Sequence, residues 1–218
     1  MIDLLWEYRA DFGHGLRVSA MLFLGVASLG TFLGVLLAVA SRMRVVRVLM
    51  TWCAMTVLSV PVIVLLYWGH LPLQGALRIV VDPFWTAFCV LTCVHSAVVY
   101  VLTQPALESV RGQWDWFVRM YAIRPRSAVR QVYLPLVLRA MGPSFVQSLL
   151  GLTHLSLLAG FINVPELFRA AQRVAAQERG QAIAVYTAMA VLFAAASLPV
   201  WLASSRWQAR IQRSRGSW

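Results

Sequence analysis

Charged side chains divide this 218-residue chain into apolar blocks. Cutting the sequence at every Asp, Glu and Arg leaves five long uncharged stretches, 18–41, 48–77, 83–107, 140–165 and 180–205, each of 24 to 30 residues. About 20 apolar residues at 1.5 Å rise per residue cross the hydrocarbon core of a bilayer. In lipid the backbone has to satisfy its own hydrogen bonds, so each stretch is predicted as a helix. The pattern therefore gives an all-α polytopic membrane protein with five transmembrane helices and one domain, 1–218. Little chain is left over for a separate soluble catalytic domain.

The connections are short except one, the 32-residue segment 108–139. It is not uniformly polar. Trp116, Phe117, Met120 and Tyr121 recur at helical spacing after Asp115, an N-cap type, and the pattern stops near Arg124 and Pro125. A short amphipathic helix over about 115–125 is the expectation. From pattern alone it either lies on the membrane surface with its aromatics among headgroups or inserts into a groove of a soluble partner.

Composition agrees with the blocks: 60% of residues are apolar and 12% charged, where an average soluble domain has about half and a quarter. The net charge of +11 comes entirely from arginines among the basic residues. These sit at the ends of the apolar stretches and form no continuous patch, so they orient helices rather than bind nucleic acid. Alternate connections carry 13 and 6 arginines. Placing the richer side in the cytoplasm puts the N-terminus outside, and the C-terminus and segment 108–139 inside. Asp3, Glu7 and Asp11 beside Arg9 and Arg17 do not read as a signal peptide, so the first span is expected to be retained. The tail arginines Arg206, Arg210, Arg213 and Arg215 read as an anchor near anionic lipid. Cys53, Cys89 and Cys93 lie within spans, fit no disulfide framework and are expected as small core residues.

Polar residues inside spans mark either a solute path or packing between helices. Thr92, Ser96, Tyr100 and Gln104 form one four-residue stripe on the third span; Ser144, Ser148, Gly151 and His154 form another on the fourth. Two such stripes are able to line one cavity. His95 lies off the stripe and reads as a core histidine. Pro61 and Pro105 free backbone carbonyls within or near the end of their spans and permit a kink.

In order along the chain, FGHGLRVSAMLFLGVASLGTFLGVLLAVA, SVPVIVLLYWG, ALESVRGQW, VYLPLVLRAMGPSF and LSLLAGFINVPELFRAAQ resemble the membrane permease subunits of bacterial ABC importers. The likeness is to the polar-amino-acid group, which includes the histidine, glutamine and arginine systems. It implies a type I ABC importer permease fold in the bacterial inner membrane. The family's cytoplasmic loop has a Glu-Ala-Ala start, a glycine and an Ile-x-Leu-Pro end. Anchored on Val132, Leu134 and Pro135, its glycine falls on Ala122 and its Glu-Ala-Ala on Trp116, Phe117 and Val118, with Asp115 one residue early.

Other family signatures are also altered. Arg-Gly-Thr-Pro reads Leu58, Ser59, Val60, Pro61. The acidic and arginine positions at the end of the third span fall on Val101 and Gln104, and Lys-Asp-Thr-Ser-Leu reads Thr153, His154, Leu155, Ser156, Leu157. The resemblance implies that Asp115, Trp116, Phe117, Met120, Tyr121, Ala122 and Pro135 serve coupling to an ATPase. Large aromatics suit that role, since each fully buried side chain is worth about 1.5–3 kcal/mol. Pro61, Ser96, Tyr100, Gln104, His154 and Ser156 are the expected solute path. Glu166 matches the family's Glu-Leu pair, on a helix that either contacts a solute-binding protein or lies at the interface.

The partners implied are an ABC ATPase dimer, a second permease subunit, an external solute-binding protein and membrane lipid. No cofactor or metal is implied for this chain: it has no GxxxxGK[ST] loop, so ATP would be bound by the ATPase. Two other classes remain in view. A non-transporting assembly paralogue explains the altered signatures. An intramembrane enzyme would use the scattered histidines, serines and cysteines, but the chain carries no HExxH or GxSxG motif, and its acids lie outside the apolar stretches.

Overall fold

The computed structural model describes residues 6–41 and 43–215, so Asp3 lies outside the described residues, as do the side chains of Arg210, Arg213 and Arg215. Among the described residues the regular structure is entirely helical. Four helical segments are long and apolar enough to cross a membrane, and a bent pair makes a fifth candidate.

The first helix, α1 (Arg9–Ala40), buries a single narrow stripe: Phe12, Gly15, Ser19, Leu22, Val26, Gly30, Gly34 and Ala38. Steps of three and four residues keep that stripe on one face. Next, α2 (Arg44–Ser59) and α3 (Val62–His70) meet at a bend of 91°. The predicted single span 48–77 is therefore corrected to a broken one. Proline at 61 has no N–H to donate and forces Val60 into extended backbone (φ −88°, ψ 129°), so the helix stops at Ser59. A short helix, α4 (Pro72–Leu77), follows.

The hub of the bundle is α5 (Pro83–Met120), 38 residues long. Asp82 caps its start, the carboxylate accepting from Phe84 N at 2.8 Å, with Pro83 in the first helical position. Its most important neighbour is α1. A Cβ on Gly34 would lie 2.6 Å from the Ser96 carbonyl oxygen and 2.7 Å from Val99 Cβ, and one on Gly30 would lie 3.0 Å from the His95 ring. The Gly30-x-x-x-Gly34 pair thus lets two helices touch backbone to backbone. His95 is buried there, its Nε2 3.3 Å from Thr31 Oγ1.

The helix α5 does not end at Leu107, where the uncharged stretch ends. It runs 13 residues further, to Met120, because charge marks where lipid stops and not where backbone hydrogen bonding stops. The short helix expected to begin at Asp115 is instead the tail of α5, and Asp115 is no N-cap. After Met120 come α6 (Pro125–Ala128), a π-helical turn over Val129–Tyr133 and α7 (Leu134–Ser156). A tight 3-10 turn (Leu157–Ile162) leads to the amphipathic α8 (Leu167–Gln177), and α9 (Ala182–Arg215) closes the chain.

Apolar side chains from α1, α3, α5 and α7 form one core around Leu22, Leu66, Leu91 and Leu152. A second cluster, Phe12, Leu167, Val174 and Val185, seats α8 against α1 and α9. The three cysteines are free and exposed, a correction to their expected place in the core. An outward thiol on an apolar helix faces lipid tails, which resemble the core as a solvent.

Candidate functional site

Two sites emerge, a cavity between α2 and α5 and an elbow where α5 turns back toward α7. The cavity is about 390 Å³ and is lined by Arg47, Thr51 and Trp52 from α2 and by Tyr100, Gln104 and Glu108 from α5, with Val48, Met55, Val101 and Pro105. The Tyr100 hydroxyl lies 3.3 Å from Thr51 Oγ1 and donates to the Arg47 carbonyl at 3.2 Å. The Gln104 amide donates to the Ala38 carbonyl at 3.0 Å, tying α5 to the end of α1. At the rim, Arg47 and Glu108 form an ion pair between α2 and α5.

Of the expected solute-path residues, only Tyr100 and Gln104 line this cavity. Ser96 shares their stripe but faces α1, its hydroxyl donating to the Cys93 carbonyl at 2.8 Å. Pro61 caps the break before α3. His154 is exposed on α7, with Nδ1 donating to the Leu150 carbonyl at 2.8 Å and its ring 5.8 Å from that of Phe193. Buried Ser156 donates to Thr153 O at 2.8 Å. The two polar stripes therefore do not converge within this chain, which corrects the expectation of one shared cavity. The α5 stripe turns inward against α1 and α2, whereas Ser144 and Gly151 are exposed and His154 lies against Phe193 of α9.

The elbow is built on a helix terminus. The Ile123 N–H donates to the Val118 carbonyl and the Ala122 N–H to the Arg119 carbonyl, both at 3.1 Å. That pair of bonds is a Schellman motif, and its C′ residue, Ala122, takes φ 48°. The position where the resemblance places the family's glycine is thus the left-handed one. In the inner crook lies a second cavity of about 330 Å³, bounded among others by Arg111, Val118, Ile123 and Pro125. Across it the Tyr133 hydroxyl donates to Asp115 Oδ1 at 2.5 Å, and the Arg111 guanidinium lies 6.0 Å from the centre of the Tyr133 ring. The outer surface carries Trp116, Met120 and Tyr121, 62–70% exposed. Phe117 sits behind them, its ring 6.0 Å from that of Trp116 and 4.6 Å from that of Tyr121. Pro135, in the first turn of α7, is exposed.

Glu166 was the residue whose setting was least visible in the sequence. It is wholly buried and caps α8, its two carboxylate oxygens accepting from Phe168 N and Arg169 N at 2.8 Å each. Burial raises its pKa from the ordinary 4.5 to about 7, against the opposing pull of those bonds and of the Ser19 hydroxyl. A Cβ on Gly160 would lie 2.4 Å from Oε1, so glycine there makes room for the acid. Contact between this carboxylate and an external protein, one of the expectations for its helix, is ruled out by its burial. Among the described residues no group of three His, Cys, Asp or Glu is placed to hold a metal ion.

Residues 30–216 match the family described as the binding-protein-dependent transport system inner membrane component. In fold the chain is similar to a solved amino acid ABC transporter with histidines (TM-score 0.82, 16% identity, covering 94% of this chain and 96% of that one). It is also similar to the inward-facing methionine ABC transporter MetNI in two crystal forms. One gives TM-score 0.71 at 17% identity over 97% of this chain and 99% of that one, the other 0.67 at 19% over 95% and 94%. No curated protein matches the sequence.

Proposed function

Because this chain belongs to the family of binding-protein-dependent transport system inner membrane components, we propose that it is the permease half of an ATP-driven importer for a polar amino acid or similar small solute. The fold is that of a type I ABC importer permease. The α5 extension carries the proposal: a membrane-crossing helix that continues past its last lipid-compatible residue and ends in an exposed aromatic elbow provides a rigid handle for a cytoplasmic ATPase.

In this reading the α2/α5 cavity is the chain's share of the solute path. Arg47 and Glu108 neutralise each other at rest and offer opposite charges when parted, which suits a zwitterion: its carboxylate toward Arg47, its ammonium toward Glu108. Thr51, Tyr100 and Gln104 supply neutral polar contacts between them. The assembly would comprise this chain, a second permease, two ATPase subunits and an external solute-binding protein, in a bacterial inner membrane. The N-terminus and α8 lie outside and the elbow and C-terminus inside, as the arginine distribution favours.

The test is the double substitution Trp116→Ala with Phe117→Ala in proteoliposomes containing the ATPase, followed with labelled histidine, glutamine and arginine. Uptake and solute-stimulated ATP hydrolysis are expected to be lost while membrane insertion stays normal. Undiminished uptake and ATPase association in the double variant would sink the coupling role.

A further inference from the structure

The cavity in the inner crook continues into a narrow apolar seam between α1, α5 and α7. Val35 and Val39, Leu107, and Leu134 and Val137 line that seam. Arg111, Val129 and Tyr133 line both spaces and form the wall they share. The π-helical turn shapes the wall: the Leu134 N–H donates to the Val129 carbonyl, five residues back, a wider loop than an α-helix makes. With about 30 Å³ of free space the seam cannot swallow a hydrocarbon chain, so a chain would lie along it and not within it.

The shared wall also holds a cation in want of a partner. Arg111 is half-buried, and among the described residues it has no carboxylate within ion-pair distance. Asp115, one turn along the same face, already accepts the Tyr133 hydroxyl, and Glu108, a turn back, pairs with Arg47. Arg119, a further turn on, also brings its positive charge within reach of Tyr133. Among the described residues this face of α5 thus carries two cations and one anion that is already engaged. A half-buried guanidinium without a counter-charge suits an anion.

Depth decides which anion. Leu107 lies about 38 Å and Arg111 about 44 Å along α5 from Asp82, at 1.5 Å per residue. A tilt of about 20° brings these depths to about 35 Å and 41 Å. A bilayer has about 30 Å of hydrocarbon within about 40–45 Å of total thickness. With Asp82 at one surface, the seam reaches the hydrocarbon edge of the far leaflet, and Arg111 lies among that leaflet's headgroups.

We propose that this corner binds one anionic phospholipid of the far leaflet, its phosphate held by Arg111 and the start of one acyl chain seated along Val35, Val39, Leu107 and Val137. An apolar seam on one side of the wall and an unpaired guanidinium on the other match the two ends of such a lipid. Bound there, the lipid bridges α5 to the π-helical turn and braces the crook. The site lies apart from the α2/α5 cavity and requires only that α5 crosses a membrane, whatever solute the chain carries.

The experiment uses the full chain, delipidated in detergent and titrated with phosphatidylglycerol or phosphatidylethanolamine under native mass spectrometry. The wild type is expected to take one phosphatidylglycerol in preference to phosphatidylethanolamine. Arg111→Gln should weaken that binding about tenfold, the order of one charge-assisted contact. Val39→Trp, which fills the seam and leaves every charge in place, should weaken it as well. Leu134→Trp, on the exposed rim of the seam, repeats this arm if Val39→Trp fails to fold. Arg44→Gln removes an exposed charge at the same end of the bundle that lines neither space, and should change nothing. Equal loss in Arg44→Gln and Arg111→Gln assigns the lipid to the diffuse charge of that face and overturns the site. So does unchanged binding in Arg111→Gln, or a wild type that takes both lipids alike. Full binding in the seam-filling variant overturns it too, and displacement by inorganic phosphate then assigns the cavity to a soluble anion. None of these results bears on the permease reading.

Discussion

Replacing Ala122 by glycine tests the elbow at its most strained point. The residue occupies the C′ position of a Schellman motif at φ 48°, where a Cβ crowds the following carbonyl. Holding a non-glycine residue in that left-handed well costs about 1–2 kcal/mol. Glycine removes that cost and returns about 0.5–1 kcal/mol of it as extra freedom in the opened state. The net expectation for Ala122→Gly is a local gain of about 0.5–1 kcal/mol, a two- to fivefold slower opening equilibrium. Valine, β-branched and less tolerant of positive φ, is expected to shift the balance the opposite way by at least as much. Hydrogen exchange of the segment 119–130 in detergent reads this directly through the Ala122 and Ile123 amides, which both donate within the motif. Faster exchange in Ala122→Gly than in the wild type, or identical exchange in the glycine and valine variants, would refute the assigned backbone conformation.

Two further outcomes follow from the packing. Gly34→Ala should cost about 1–3 kcal/mol, because α1 has to retreat from α5; thermal unfolding in detergent checks it, and Gly13→Ala, helical with nothing within 4 Å, is the control, expected to stabilise by about 0.5–1 kcal/mol. Glu166 holds its proton more tightly folded than unfolded. Its contribution is therefore complete below about pH 4.5 and is lost as pH rises to about 7. The melting temperature should fall by roughly 5–10 °C between pH 4.5 and 7.5, and Glu166→Gln should flatten that slope; an equal slope in the variant contradicts the buried acid as its source.

How much of this was legible depended on the physical scale of each feature. Crossing lipid requires a long uncharged run, so the apolar blocks stand out, and the chain order of the resembling segments carries the fold. Helix ends are another matter. The limits of the apolar stretch and of the helix coincide at the start of α5, where Asp82 caps it, but not at its end, since Arg111 and Arg119 are as compatible with helical backbone as Val99 is. The broken span followed from Pro61, whose effect on its neighbours is local and was written in the sequence. The convergence of the two polar stripes was not legible: a four-residue spacing gives a face but not the direction it looks, and α7 turns its face away from α5. Gly30-x-x-x-Gly34 did have a sequence signature, a small-x-x-x-small pair, which reports close approach more directly than hydropathy does. Glu166 had none, because a glutamate that caps a helix in water and one sealed beneath Gly160 are written alike.

The length of α5 also has a mechanical consequence. Take the contact of Val99 with Gly34 as the fulcrum. Met120 then stands about 32 Å away on one arm and Gln104 about 7 Å away on the same arm, at 1.5 Å per residue. A push that moves the elbow by about 5 Å turns the rod by about 9° and carries the Gln104 wall of the cavity only about 1 Å, by the same rise per residue. The helix is thus a reducing lever, trading a large stroke at the elbow for a small, forceful one beside the cavity. At Glu108, about 14 Å from the fulcrum, the same turn gives about 2 Å, which parts an ion pair but does not open a passage. Rigid tilting of α5 is therefore suited to unlocking Arg47 from Glu108 rather than to opening a passage.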